Sequence, residues 1–306
     1  MTVIEATGLT RRYGELVAVS ALDLSIASGR VLALLGPNGA GKTTTIDMIA
    51  GSAVPDEGQV CFEGATTTPA GLRRLVGLCP QALEFWPKLG CAEQLMMVGR
   101  LHGLSRSAAR LRAGQLLDRL GLAAKSSARA EALSGGMKRR LNVALALVND
   151  PPILVFDEPE AGLDPQSRAM VRELIAELAV DHGVLLTSHD IAEVERIADQ
   201  VIIVDHGTVL AEGTPAELIT RFDLGDEVDL FGAPEELSRA LAGISLLEPL
   251  EARPDGVRLR LAHSGEALGS ILAAVDRLGV TVTSVRSRPA NLEDVFLTLT
   301  GRSLRG

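Results

Sequence analysis

The chain has 306 residues, of which 46% are hydrophobic and 23% charged, and its formal net charge is −9. That length and composition allow two domains of ordinary size with a sizeable core. The acidic balance disfavours nucleic-acid binding through a broadly basic face, and three cysteines without metal-ligand spacing (Cys61, Cys79, Cys91) suggest reduced thiols in a cytosolic protein.

Mean hydropathy is +0.22. Even so, the longest apolar stretches, "VLALL" (31–35) and "VIIV" (201–204), have strand length. A membrane-spanning helix needs roughly 20 apolar residues. The opening "MTVIEATGLTRRYG" lacks the charged-then-apolar layout of a secretion signal. Any membrane role is therefore expected to come through a separate chain.

In chain order, residues 2–35 alternate short apolar runs with polar breaks and end on "VLALL", a continuous run expected of a strand covered on both faces. A helix-like "KTTTIDMIAG" follows a glycine-rich turn. Residues 91–149 show mainly helical spacing, with Ser105 placed to cap one helix. Two more buried strands, "ILVF" (153–156) and "GVLLTS" (183–188), flank the helical "DPQSRAMVRELIAELA". This alternation predicts a parallel sheet covered by helices. "DQVIIVDHGTVLAEGTPAELI" reads as a closing hairpin-like pair.

The texture changes after about residue 224. The spacing predicts strand 227–231, helix 235–242, strands 244–250 and 256–262, helix 265–278, strand 280–287 and a final helix in "NLEDVFLTLTG". That order suggests a small ferredoxin-like unit.

"GPNGAGKT" matches G-x-x-x-x-G-K-[ST] from Gly36 to Thr43, between a predicted strand and helix. Gly39 and Gly41 let backbone N–H groups approach a phosphate, Lys42 supplies a point charge, and the Thr43 hydroxyl can ligate Mg²⁺. The plainer alternative is a glycine-rich turn before a core helix.

"ILVFDEP" puts Asp157 and Glu158 at the end of a buried strand. Asp157 suits a Mg²⁺ ligand. Glu158 suits a general base on water, a role worth about 10²–10⁴ in rate. Alone, two adjacent acids would read as a polar strand end. His189 in "TSHD" follows the third strand, on the edge where such sheets bind ligands, and suits a γ-phosphate sensor. Gln81 in "CPQ" can hydrogen-bond both a metal-bound water and the attacking water. Tyr13, the only tyrosine, can stack on adenine or simply pack.

"LSGGMKRRL" (133–141) places Ser134, Gly135 and Gly136 at another helix start, a second anion site in one chain.

Taken in order, these residues make residues 1 to about 220 resemble the nucleotide-binding domain of an ABC (ATP-binding cassette) transporter. Tyr13 matches the adenine-stacking aromatic. Gly36, Pro37, Asn38, Gly39, Ala40, Gly41, Lys42 and Thr43, with Thr44 next, match the Walker A loop. Gln81 matches the Q-loop, "LSGGM" the signature, 153–158 Walker B, "AGLDP" (161–165, with Asp164) the D-loop, and His189 the switch histidine.

The resemblance implies a P-loop cassette over 1–222, with a parallel-sheet core, an N-terminal antiparallel β subdomain and a helical subdomain at about 82–150. Residues 223–306 would form a small α+β domain for regulation or dimerisation. It implies ATP and Mg²⁺ as cofactors, with Thr43, Gln81 and Asp157 at the metal and Lys42, Gln81, Glu158 and His189 catalytic. It also implies a head-to-tail homodimer, in which the signature of one copy closes on the ATP of the other and Asp164 couples the two sites.

The partner it implies is a separate membrane permease that holds the chain on the inner face of the membrane. The permease would dock near 82–95, where Phe85 and Trp86 either dock or pack. "LSGGMKRRL" and the ending "NLEDVFLTLTG" resemble exporters of the antibiotic-resistance type, with drug-like or other amphipathic substrates. A non-transport relative acting on ribosomes or nucleic acid is the alternative. It would be expected to carry two cassettes or a long insertion. Glu160 departs from the family, which often has Thr there.

Overall fold

The computed structural model describes residues 2–242, 246–247, 249–262 and 264–301. It divides into two compact units, one reaching Thr214 and the other Pro215–Gly301.

The first unit runs β1 (Thr2–Tyr13), β2 (Leu16–Ala27), β3 (Val31–Leu35), α1 (Lys42–Ile49), β4 (Glu57–Phe62), β5 (Ala65–Thr66), α2 (Pro69–Leu75), β6 (Val76–Cys79), α3 (Cys91–Leu101), α4 (Arg106–Arg119) and α5 (Gly135–Ala146). It continues with β7 (Ile153–Asp157), α6 (Pro165–Ala179), β8 (Gly183–Thr187), α7 (Ile191–Ile197), β9 (Gln200–Asp205) and β10 (Thr208–Gly213). An antiparallel sheet has the order β2-β1-β4-β5, and a six-stranded sheet the order β10-β9-β3-β8-β7-β6. In the second sheet only the β10–β9 pair is antiparallel.

The apolar runs explain this core. Every residue of β3, β7 and β8 is buried, as strands between two layers require. Phe156 of β7 is fully buried, and truncating such a side chain typically costs about 3–5 kcal/mol. Ser105 caps α4, accepting the Ala108 N–H at 3.1 Å. The parallel-sheet core and the antiparallel N-terminal sheet are those expected from the sequence.

The second unit contains α8 (Pro215–Phe222), β11 (Asp226–Gly232), α9 (Pro234–Leu241), β12 (Glu251–Arg253), β13 (Gly256–Leu261), α10 (Ser264–Arg277), β14 (Val282–Arg288) and α11 (Leu292–Thr300). Its sheet order, β12-β13-β11-β14 with antiparallel neighbours, is the ferredoxin-like arrangement. Helix α8, read from sequence as the end of the cassette, belongs to this unit and packs on α11.

Of the strand expected over 244–250, residues 244, 245 and 248 lie outside the described residues, and 246, 247, 249 and 250 are not strand. The strand forms at Glu251–Arg253 instead. There Arg253 pairs with Gly256 across the two-residue turn Pro254–Asp255, and this turn sets the register. Apolar residues such as Val228, Leu230, Leu237, Leu259 and Val275 form this unit's core. On the sheet's charged residues, Arg288 bridges Glu227 (3.0 Å) and Asp294 (2.6 Å), Arg260 reaches Asp294 (2.6 Å), and Arg258 reaches Asp229 (2.7 Å).

Candidate active site

In the six-stranded sheet β3, β8, β7 and β6 lie side by side and parallel, so the loops after them meet along one edge. Open parallel sheets bind ligands there. The loop after β3 wraps tightly. Gly41 has φ 101°, and a Cβ on it would lie 2.4 Å from the Ala18 carbonyl oxygen, so only glycine closes this turn. A Cβ on Gly36 would come equally close to the Val204 carbonyl oxygen. Helix α1 starts at Lys42 with no side-chain cap, so its first N–H groups are free to face an anion.

Lys42 is buried, and its Nζ donates to the carbonyls of Gly36 (2.7 Å) and Pro37 (3.1 Å). Burial holds its ammonium below the usual lysine range, and the nearby charges of Glu158 and Asp157 oppose that shift.

A cavity of about 680 Å³ opens over this loop. Asn38, Gly39, Gly41, Lys42, Thr43 and Thr44 line it, together with Gln81, Glu158 and His189, and Tyr13 stands half-exposed at its edge. Pro37 and Ala40 are buried and shape the turn, the Ala40 N–H donating to the Pro37 carbonyl. The Arg11 guanidinium lies 4.9 Å from the centre of the Tyr13 ring.

Asp157 ends β7 and is buried, its Oδ1 accepting the Thr187 hydroxyl at 2.7 Å. The next residue, Glu158, has φ 45°, a left-handed conformation that costs a non-glycine residue about 1–3 kcal/mol. Its N–H donates to the Thr187 hydroxyl (3.0 Å), and its carbonyl accepts from Arg139 (2.8 Å). The carboxylate is gripped from two sides. Gln81 Nε2 donates to Oε2, and His189 Nε2 lies 2.6 Å from Oε1.

Ser134 caps α5, its Oγ accepting the Met137 N–H at 3.4 Å. Ser134 and Gly135 are exposed, and neither they nor Gly136 lines the cavity around Lys42. Asp164 caps α6 and takes both the N–H (2.9 Å) and hydroxyl (2.8 Å) of Ser167. Those bonds hold its carboxyl below the usual range. A Cβ on Gly136 would lie 2.9 Å from Ser167 Oγ, so the start of α5 adjoins the first turn of α6, which Asp164 caps.

Two features escaped the sequence reading. Arg139, one of three successive basic residues, is buried, and Thr187 links Asp157 to Glu158. The signal for Arg139 is the buried spacing Arg139, Asn142, Val143 and Ala146, one helix face. In addition, Glu160 lies with Asp190 and Glu193 in one acidic group, their oxygens within 4.8 Å of each other. Burial, and then Glu160, push the Glu193 carboxyl up to about 9.

Residues 19–161 match the family described as "ABC transporter". The chain is 39% identical over 306 residues to "Nod factor export ATP-binding protein I" of Ralstonia nicotianae, covering 99% of this chain and 95% of that protein. It is 33% identical over 311 residues to "Linearmycin resistance ATP-binding protein LnrL" of Bacillus subtilis, covering 99% and 100%. Among solved structures, an ATP-binding subunit of an ABC transporter aligns with a TM-score of 0.65 at 30% identity, over 72% of this chain and 93% of that one.

Proposed function

The chain belongs to the ATP-binding, ATP-hydrolysing subunits of ABC exporters, and from that premise we propose how its residues divide the work. Glu158 is the general base on the attacking water, and His189 and Gln81 hold it in place. The observation carrying this reading is that Glu158, Gln81 and His189 line the same cavity as Lys42 and Thr43. Lys42 and the α1 N-terminus take the phosphates, and Tyr13 stacks on adenine.

The oxygen donors near this loop suit a hard divalent cation. Thr43 is exposed to the cavity, and Asp157 spends one oxygen on Thr187. Thr43 and Asp157 would hold Mg²⁺, with the Gln81 amide oxygen as a further ligand. When bound, the ion would neutralise charge on the β- and γ-phosphates.

Two copies pair head to tail, the α5 N-terminus of one closing on the ATP of the other. The exposure of Ser134 and Gly135, away from their own chain's cavity, supports this arrangement. Asp164, beside that helix start through Ser167, couples the two sites. Among the described residues no helix is long and apolar enough to cross a membrane. The relatives' description as ATP-binding proteins of exporters supports a separate permease as the transport path, holding the pair at the inner face of the membrane. A groove of about 560 Å³, lined by Arg73, Leu78, Phe85, Trp86 and His102, supports docking of a permease helix there. The relatives' names, Nod factor export and linearmycin resistance, and the sequence resemblance to resistance-type exporters support a drug-like or amphipathic cargo. The second unit serves regulation or homodimer contact, and truncation after Thr214 is expected to weaken dimerisation or alter activity in the assembled transporter.

The test is affinity capture of the tagged chain from gently solubilised source-cell membranes. A polytopic membrane protein, held best by Glu158→Gln with ATP, is the expected companion. Ribosomal proteins or nucleic acid in its place would overturn the permease reading.

A further inference from the structure

Arg139 lies in the second turn of α5, the helix whose start is Ser134-Gly135-Gly136, and only 2% of it is exposed. A guanidinium carries five N–H donors in a rigid plane. Here Nε donates to the Pro159 carbonyl (2.6 Å). Nη1 donates to the carbonyls of Pro80 (2.8 Å) and Gln81 (3.3 Å), and Nη2 to those of Glu158 (2.8 Å) and Asp157 (3.4 Å). None of these acceptors is a carboxylate. All are main-chain groups of the loop after β6 that presents Gln81, or of the last residue of β7 and the loop after it that presents Glu158.

We propose that Arg139 is a positioning residue for ATP hydrolysis: from the signature helix it fixes the backbones of the Gln81 and Glu158 loops against each other. The proposal rests on the reading of Glu158 as general base. Three observations carry it. Planar donors pointing both ways can span two loops, which a lysine's single ammonium cannot do with the same geometry. The Glu158 backbone is in a left-handed conformation that its surroundings must hold, with Thr187 gripping the N–H and Arg139 the carbonyl. The side chains of the same two loops meet in the Gln81–Glu158 hydrogen bond, so a shift of either backbone moves the carboxylate. A displacement of the signature helix is thereby transmitted to the base through one side chain.

The test uses the full chain with Arg139→Lys and Arg139→Gln, measuring melting temperature, ATP affinity and steady-state hydrolysis. A misplacement of about 1 Å can cost a reaction about a hundredfold. The expected result is a folded protein with ATP affinity within about threefold of wild type and kcat down by about 10- to 100-fold. Placed on Glu158→Gln, Arg139→Lys should lower the residual rate by less than about threefold, because the group it positions is already disabled. Wild-type kcat in a folded Arg139 variant, or loss of fold in both variants, would overturn the proposal and leave Arg139 a packing residue. If Glu158→Gln alone hydrolyses at wild-type rate, the failure lies with the base assignment and not with the Arg139 clamp.

Discussion

Each unit holds a buried or nearly buried carboxylate at the centre of a hydrogen-bond network, and the two networks are built differently. In the second unit Asp294 is closed off by guanidinium groups, Arg260 and Arg288, which are themselves shared with Glu227. Its charge is cancelled and its oxygens are occupied. In the first unit Glu158 is held by an amide and an imidazole at the wall of a cavity about 680 Å³ in volume, next to a buried ammonium. The difference matches the division between scaffold and chemistry proposed above. A carboxylate matched by arginines has its oxygens taken up within the fold, whereas the one held by an amide and an imidazole lines a cavity open to a ligand.

The sharpest way to break this contrast is to remove a charge from each network and see which property moves. Lys42→Ala is expected to lower ATP turnover by about 100-fold or more, following the loss of a phosphate-binding charge. Nucleotide-free stability should stay within about 1 kcal/mol, since burial already disfavours that ammonium. Hydrolysis assays and denaturant melts on one preparation check both halves.

Asp294→Asn should do the reverse. Breaking a buried ion pair from one side costs about 3–5 kcal/mol, while hydrolysis per folded molecule should hold. Burial alone would raise the Asp294 carboxyl, yet Arg288 and Arg260 bring it down to about 2. Its contribution is therefore present above about pH 4 and disappears as pH falls through about 2. Unfolding curves of the two proteins should converge over that window.

Smaller effects refine the picture of the cavity. Tyr13→Ala removes a stacking surface worth about 1–3 kcal/mol, so the KM for ATP should rise about tenfold with kcat little changed. The smallest effect concerns Glu160. Burial and Glu160 push the Glu193 carboxyl up to about 9 from the ordinary 4.5 of the unfolded chain, against the opposing charge of Arg172 at 2.9 Å. Stability is thus lost as pH rises between those values. Glu160→Thr removes the like-charged neighbour and should make that decline shallower by about 1 kcal/mol, as read from melting temperature against pH.

Much of the candidate site's edge was legible because its pieces are local. The run Gly36–Thr43 is contiguous, and Asp157, Glu158 and His189 each follow a strand whose apolar run marks it as buried. Strand ends in a parallel sheet converge, so order along the chain was enough to place these residues on one edge. What escaped depends on approach between distant segments. In "MKRRL" three basic residues follow one another, and only the partners of α5 decide that Arg139 turns inward while Lys138 and Arg140 stay partly exposed. The meeting of Glu160 with Glu193, 33 positions apart in sequence, has no local signature either. Near the start of the second unit the sequence runs from β10 into α8 without a break in texture, and the packing of α8 on α11 assigns that helix.

The most direct test of the account is Glu158→Gln in the purified full chain, with ATP binding and steady-state hydrolysis measured side by side in Mg²⁺. Binding is expected to persist while hydrolysis falls by about 10²–10⁴, the worth of a positioned general base. Hydrolysis at the wild-type rate would contradict it and show that the carboxylate gripped by Gln81 and His189 is scaffold after all.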